Sequence, residues 1–313
     1  EIASCLVGSE MCIRDRPMDI SEVSKKAGVL IEAISYIKRF KGSVFVVKYG
    51  GAFMDDPDPK IRASVANDIA FLAAVGIRTV VVHGGGKAIS RAMEAAGLKP
   101  EFRNGMRVTD EKTVSIVRGV LNGSVNGEIV GLLKAGGCEA VSVKGDSVLG
   151  CEKLVPRDAG GGEADIGYVG LVNSVDALEI ERVLEKGLTP VISPIAIGPD
   201  GHAYNTNADV AAAAVAKALK ARRLVFLCDV PGLMRDPKDR STLISHLKVS
   251  EVAGLEASGV IGGGMTPKVD SGVDAIKNGV RRVHFVDGYL PHSILLEIFT
   301  DTGIGTEIVA EAR

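Results

Sequence analysis

Tryptophan is absent, and aromatic residues make up only 4% of the 313 positions. That scarcity argues against a nucleic-acid surface built on base stacking. The 37 Lys and Arg nearly balance 39 Asp and Glu, for a formal net charge of −2, so no basic excess is available to grip a phosphate backbone. No apolar run reaches the length of a membrane span; the alanine stretch from Ala211 to Ala216 is short and is followed by Lys217. The five cysteines, Cys5, Cys12, Cys138, Cys151 and Cys228, are scattered and show no Cys-x-x-Cys spacing. This argues against a disulfide framework or a structural zinc site, and no metal site is expected. A reduced, cytoplasmic setting fits, with Cys138 and Cys228 as small core residues in strands. The usual nucleotide signatures are missing as well. The chain has neither Gly-x-x-x-x-Gly-Lys-Ser/Thr nor Gly-x-Gly-x-x-Gly, no Gly-x-Ser-x-Gly elbow and no protein-kinase motif set, which disfavours a P-loop enzyme and a standard dinucleotide dehydrogenase.

What is present is an ordinary water-soluble globular composition, 46% hydrophobic and 24% charged, with enough apolar residues for a large core. Two short β-branched runs end in glycine turns: Val44-Phe45-Val46-Val47-Lys48-Tyr49-Gly50-Gly51 and Val80-Val81-Val82-His83-Gly84-Gly85-Gly86-Lys87. Such runs read as parallel strands buried on both faces, each leading into a turn where backbone approaches something closely. The helix after each turn offers free N–H groups, which favour anions, so a phosphate-bearing ligand is expected.

Residues 1–17 mix Cys, Gly, Met and Arg without periodicity and lack the plan of a signal peptide. They read as a non-native leader, with Met18 as the expected start. Residues 21–40 carry apolar residues at helical spacing and predict an amphipathic helix ahead of the first core strand. Beyond it, strands and helices alternate. Helical stretches are expected over 110–121 and 124–135, and two extended runs, 150–156 and 167–173, flank Ala159-Gly160-Gly161-Gly162 as a ribbon with a mobile tip. The alternation predicts an α/β fold, an open and mainly parallel sheet flanked by helices on both faces, with ligands beyond the carboxyl ends of the strands.

Four further clusters carry candidate chemistry. Phe102-Arg103-Asn104-Gly105-Met106-Arg107-Val108-Thr109-Asp110 places arginines that can fork a carboxylate. Tyr204-Asn205-Thr206-Asn207-Ala208-Asp209 enters a helix, Cys228-Asp229-Val230-Pro231-Gly232-Leu233-Met234 follows a strand, and Gly262-Gly263-Gly264-Met265-Thr266-Pro267-Lys268 opens another helix with proline near its first turn. Each has a plainer reading. Lys48 could snorkel from a strand end, Lys268 could be a surface lysine, Asp209 a helix-start carboxylate, Asn205 a turn former, and Arg107 a partner of Asp110 or Glu111. His83 reads as a structural strand-end residue rather than a catalyst.

Taken together and in this order, the clusters resemble the amino-acid kinase family, most closely its N-acetyl-L-glutamate kinases, from about residue 21 to 308. The resemblance implies ATP, with magnesium carried by the nucleotide, and N-acetyl-L-glutamate as acceptor. It implies that Lys48 and Lys268 bind phosphoryl oxygens and that Asp209 holds the two ammonium groups. Gly50, Gly51 and Gly85 would donate backbone N–H groups, while Gly85, Gly86, Arg107 and Asn205 would hold the acetylated amino acid. Cys228, Asp229, Val230, Pro231, Gly232 and Leu233, with Val260, Ile261 and Gly262, would line the nucleotide. The implied organisation is an oligomerisation helix over 18–41, an amino-acid substrate lobe over 42–205 and a nucleotide lobe over 206–313, the lobes sharing one sheet.

The helix before the first strand resembles the extension of arginine-inhibited hexameric members. That implies a trimer of dimers, with L-arginine as effector near Tyr36, His284, Glu297 and Gly303. A PII-type nitrogen-signalling protein is a candidate partner; nucleic acid and membrane are not. The chemistry suits the residues, because an ionised γ-carboxylate needs no general base and the five histidines show no base–nucleophile pattern. Rival readings are a kinase for carrier-bound aminoadipate, another member such as a carbamate or uridylate kinase, and a non-catalytic amino-acid sensor.

Overall fold

The computed structural model describes residues 20–103, 105–156 and 164–311. The leader expected over 1–17, the expected mobile tip at 159–162 and Asn104 lie outside them. The chain divides into two compact units at the boundary between Arg39 and Phe40. The first contains nearly all of a 21-residue helix, Ile20–Phe40, on which Ile31 and Ile34 are exposed.

In the second unit the strands are β1 (Val44–Tyr49), β2 (Arg78–His83), β3 (Phe102–Arg103), β4 (Met106–Arg107), β5 (Ala140–Val143), β6 (Leu149–Lys153) and β7 (Val169–Val175). Then come β8 (Thr189–Ile192), β9 (Ile195–Ile197), β10 (Ala203–Thr206), β11 (Arg223–Cys228), β12 (His246–Lys248), β13 (Arg282–Asp287) and β14 (Thr306–Val309). Eight of them form one sheet in the order β12-β14-β13-β11-β1-β2-β8-β5. The strands from β13 to β5 in that order are mutually parallel, and β14 pairs antiparallel with β13. The open, mainly parallel sheet expected from the alternation is therefore present. Residues Val44 to Tyr49 are all buried, as strands covered on both faces should be.

Strand β1 is the topological switch: the chain leaves it for β2 on one side, and β11 returns to its other side. In such sheets the crevice beyond the carboxyl ends at the switch point is where ligands bind. Lys48, Gly50 and Asp229 all fall there. The alanine-rich stretch lies in helix Ala208–Ala218, where Ala211 through Ala216 are all buried. Small side chains let this helix press closely on β1, β7 and helix Thr266–Lys277.

Three features differ from the sequence expectation. The ribbon is one half of a four-stranded closed barrel, β10-β7-β6-β9. Strands β9 and β10 are too short, and β10 too polar, to show an alternating pattern. The two helices expected over 110–135 form one helical run, Glu111–Gly119 and Asn126–Ala135, joined through a π-helical turn, Val120–Val125. Cys138 is buried but precedes β5 rather than lying in it, where its thiol donates to Thr189 Oγ1 at 3.3 Å.

Candidate active site

Lys48 lies at the carboxyl end of β1, in register with Phe226 of β11 and Val82 of β2. Asp209 sits in the first turn of helix Ala208–Ala218, where a negative charge suits the helix dipole. Its place is fixed by Asn207, the N-cap, whose side-chain oxygen accepts from Asp209 N at 2.7 Å. Lys268 occupies the first turn of helix Thr266–Lys277, a position the dipole disfavours for a cation. The two helices bring both residues to β1. Lys48 Nζ stands 3.0 Å from Asp209 Oδ1, and Lys268 Nζ donates to Asp209 Oδ2 at 2.6 Å. Burial alone would raise the Asp209 carboxyl, but the two ammonium groups override it and hold the group below its ordinary value. Burial likewise acts to lower Lys268, and Asp209 reverses it, raising the ammonium above its ordinary value. One carboxylate thus pairs with two lysine side chains at the switch point.

The two glycine turns meet here. Gly84 N donates to Tyr49 O at 2.8 Å, and a Cβ on Gly50 would stand 3.2 Å from Gly84 N and 2.9 Å from Lys48 Nζ. Lys48 Nζ also donates to Gly50 O at 3.4 Å. Gly51 has φ of 150°, and a Cβ there would meet Asp229 Oδ1 at 2.6 Å, so the turn needs glycine on both counts. Gly85 caps helix Gly86–Ala95 and lies under Leu121, whose Cδ2 would be 2.6 Å from any Cβ.

Arg107, on β4, is buried and held on one side of a cavity of about 530 Å³ lined by Gly86, Lys87, Ser90, Arg91, Glu94 and Phe102. Its guanidinium donates to Gly86 O and to Ser90 Oγ, both at 2.9 Å, and lies 4.7 Å from the centre of the Phe102 ring. It is therefore aimed at the cavity rather than paired with Asp110, which instead caps its own helix by accepting from Thr113 N at 2.7 Å. Asn205 projects from β10 and donates to Thr109 Oγ1 at 3.4 Å.

A profile of the amino acid kinase family matches residues 43–287. Acetylglutamate kinase from Syntrophomonas wolfei subsp. wolfei is 48% identical over 292 residues, covering 93% of this chain and 100% of the relative. The chain belongs to the amino acid kinase family. Within the family, acetylglutamate kinase from Synechocystis sp. is 45% identical over 290 residues, covering 92% of this chain and 95% of the relative. Among solved structures, N-acetylglutamate synthase from Neisseria gonorrhoeae, complexed with coenzyme A and N-acetyl-glutamate, is 28% identical with a TM-score of 0.77. That match covers 92% of this chain and 64% of the longer synthase. Carbamate kinase from Giardia lamblia bound to AMP-PNP, at 17% identity and a TM-score of 0.60 over 86% of this chain and 99% of that one, shares the fold.

The residues expected along the nucleotide are less open than their sequence suggests. Cys228 is buried, and burial pushes its thiol up to about 11, so it behaves as an inert core residue. Asp229 is turned toward the glycine turn, accepting from Ala52 N at 2.6 Å. Val230 and Pro231 are half-buried, while Gly232 and Leu233 are packed against Thr306, whose hydroxyl accepts from Leu233 N at 2.8 Å. The Val260 and Ile261 amides close the end of helix Val249–Ala257 by donating to Leu255 O at 3.0 and 3.2 Å, leaving Gly262 exposed.

Of the residues expected around an effector, His284, Glu297 and Gly303 are gathered. His284 Nδ1 is 2.7 Å from Glu297 Oε1, while Oε2 accepts from Ile304 N and Gly305 N, both at 2.8 Å. Gly303, at φ of 62°, lies against the same carboxylate. Tyr36 belongs to the separate N-terminal unit. Sequence reading assigned no role to Ser90, which holds Arg107, or to Asn207, which fixes Asp209. Only Asn207 had a visible signal, an N-cap residue just before an apolar helix.

Proposed function

We propose that this chain transfers the γ-phosphoryl group of ATP to the γ-carboxylate of N-acetyl-L-glutamate, giving N-acetyl-L-glutamyl 5-phosphate and ADP in arginine biosynthesis. The observation that carries the reading is the Lys48–Asp209–Lys268 constellation where two glycine turns abut. The near full-length similarity to acetylglutamate kinases supports the choice of acceptor.

An ionised carboxylate attacks phosphorus without a base, so the protein needs only to align the reactants and neutralise charge on the phosphoryl oxygens. Lys48 and Lys268 supply that charge, and Asp209 prevents their mutual repulsion from splaying them. Gly50, Gly51 and Gly85 offer N–H groups. Arg107 forks the α-carboxylate of the amino acid in the cavity beside Gly86, and Asn205 contacts its amide. The nucleotide lies against 228–233 and 260–262, contributing magnesium on its phosphates. Among the described residues no group of three or more His, Cys, Asp and Glu side chains is arranged to hold a metal.

In the same reading, residues 42–205 serve as the substrate lobe and 206–313 as the nucleotide lobe of a cytoplasmic enzyme. Among the described residues no helix is long and apolar enough to cross a membrane. The N-terminal helix, with Ile31 and Ile34 exposed, serves assembly into a hexamer. L-arginine inhibits allosterically through the region of Tyr36, His284, Glu297 and Gly303, and a PII-type protein is a candidate regulator.

The test is hydroxylamine trapping. Hydroxamate formed with ATP, magnesium and N-acetyl-L-glutamate, but not with L-glutamate, L-aspartate, carbamate or uridylate, supports the reading. Folded, ATP-binding protein with no turnover on any of these would sink it.

A further inference from the structure

His83 ends β2 directly ahead of the second glycine turn, and its ring is buried with both nitrogens engaged. Nδ1 is 2.7 Å from Gly84 O, and Nε2 is 3.2 Å from Asn126 Nδ2. The same amide nitrogen of Asn126 donates to Val191 O of β8 at 2.9 Å. These contacts permit one assignment of protons. Val191 O can only accept, so the Asn126 amide must turn its nitrogen, not its oxygen, to it; two oxygens there would repel. The second hydrogen of that nitrogen then points at His83 Nε2, which must accept. The ring is therefore neutral with its proton on Nδ1, and Nδ1–H donates to Gly84 O.

The direction of the Gly84 carbonyl matters because of the peptide it belongs to. In a planar trans peptide the C=O and the following N–H point opposite ways. With Gly84 O drawn back to the buried ring, the Gly85 N–H is turned outward, toward the side on which Gly85 is half-exposed and Gly86 exposed. Gly84 N is also fixed, donating to Tyr49 O at 2.8 Å, so the turn is held on both sides. Gly85 N–H has no acceptor in the protein among the described residues. The π-helical turn over Val120–Val125 completes the arrangement. It offsets the helix face so that Leu121 packs on Gly85 while Asn126 reaches β2 and β8.

We infer that His83 and Asn126 are positioning residues that lock the Gly84–Gly85 peptide, so that the Gly85 N–H stands preorganised as a donor to the reacting oxygens. This rests on the phosphotransfer reading above. Burial, which pushes the ring down to about 4, keeps it neutral in the working range. His83 itself transfers no proton.

The test pairs a spectroscopic reading of the wild-type protein with two variants. Long-range ¹H–¹⁵N correlation of ¹⁵N-histidine-labelled protein at pH 7 reports the tautomer, the His83 signal being identified by its loss in His83→Asn. The Nδ1–H form is expected, and an Nε2–H ring overturns the inference whatever the variants do. An asparagine amide nitrogen stands where Nδ1 stood, whereas a glutamine amide reaches the Nε2 position. His83→Gln should therefore lower kcat about tenfold to 100-fold, with KM for both substrates within about threefold, while His83→Asn keeps most of kcat. Equal losses in two folded variants would overturn the assignment. Wild-type protein without hydroxamate formation refutes the reaction instead, and the tautomer measurement still reports on the peptide lock.

Discussion

Lys268 donates to Asp209 Oδ2 at 2.6 Å from the first turn of its helix, a position where a cation alone would be repelled by the helix dipole. The carboxylate that makes Lys268 tolerable there also faces Lys48 at 3.0 Å. Asp209 is thus the common counter-charge of two cations, which in the proposed reaction approach one phosphoryl group. Asp209→Asn keeps the shape but leaves two ammonium groups repelling each other. The expected outcome is a loss of kcat of about 10²–10³-fold, the scale of removing one preorganised electrostatic group, with a smaller change in KM for ATP. Steady-state kinetics check this, and a kcat within about threefold of wild type would remove Asp209 from the site.

Arg107 is pinned through Nη2, which donates to Gly86 O and Ser90 Oγ at 2.9 Å each, and through Nη1, which donates to Met93 Sδ at 3.3 Å, at the wall of the cavity. A lysine carries the charge but lacks the planar, multi-donor head that these anchors hold in one orientation. Arg107→Lys should raise KM for N-acetyl-L-glutamate by about 10–100-fold while KM for ATP stays nearly constant. Ser90→Ala, which removes one anchor and no charge, should give a smaller change in the same direction. An unchanged acceptor KM in Arg107→Lys would show that the cavity is not the acceptor's.

Much of this arrangement was legible in the chain. Valine runs ending in glycine mark strands that are buried on both faces, and Lys48 could be placed at a strand end because Gly50 and Gly51 follow it. Asp209 and Lys268 announce themselves as charges at helix starts. What sequence pattern does not carry is a contact between elements. Asn126 reads as an ordinary polar residue in a helix; only the π-helical turn before it, which has no periodic signature, aims it at His83. The barrel was hidden for a similar reason. Strands of three and four residues, β9 and β10, pair with each other and join the barrel only through β6 and β7, which are distant in sequence, so their own pattern does not reveal it.

The bond from Ala52 N to Asp229 Oδ1 at 2.6 Å ties the turn after β1 to the end of β11, and Gly51 leaves room for that carboxylate. Alanine at 51 would occupy φ of 150° and place its Cβ 2.6 Å from Asp229 Oδ1. Gly51→Ala should cost about 1–3 kcal/mol in urea unfolding. Asp229→Ala removes the colliding oxygen and the acceptor of Ala52 N together. The double variant should therefore be less destabilised than the sum of the two single ones. Strict additivity would mean that the two residues do not touch in solution.

The acid side of the stability profile should be set by opposing carboxylates. Burial acts to raise Glu297, but the His284 ring and the amides of Ile304 and Gly305 outweigh it and hold the group below its ordinary value. Its folded-state pKa is depressed, so its stabilisation is fully present above the unfolded value, about 4.3. It is lost as pH falls through the lower folded value. Asp68 is the reverse case: burial raises it above its ordinary value despite His292 Nδ1 at 2.8 Å and the Ile294 amide at 3.1 Å. A raised folded value gives stability that is complete below the unfolded pKa and declines as pH rises through the folded one. Glu297→Gln should therefore lower Tm at pH 7 and flatten the fall in Tm below about pH 4.3, because the variant has no depressed carboxylate left to protonate. Asp68→Ala, which strips two hydrogen bonds from the start of helix Ser293–Ile298, should also lower Tm at pH 7, by an amount that grows on acidification. Differential scanning calorimetry from pH 3 to pH 8 separates the two. If the Glu297→Gln and wild-type curves stay parallel across that range, Glu297 does not carry the acid sensitivity.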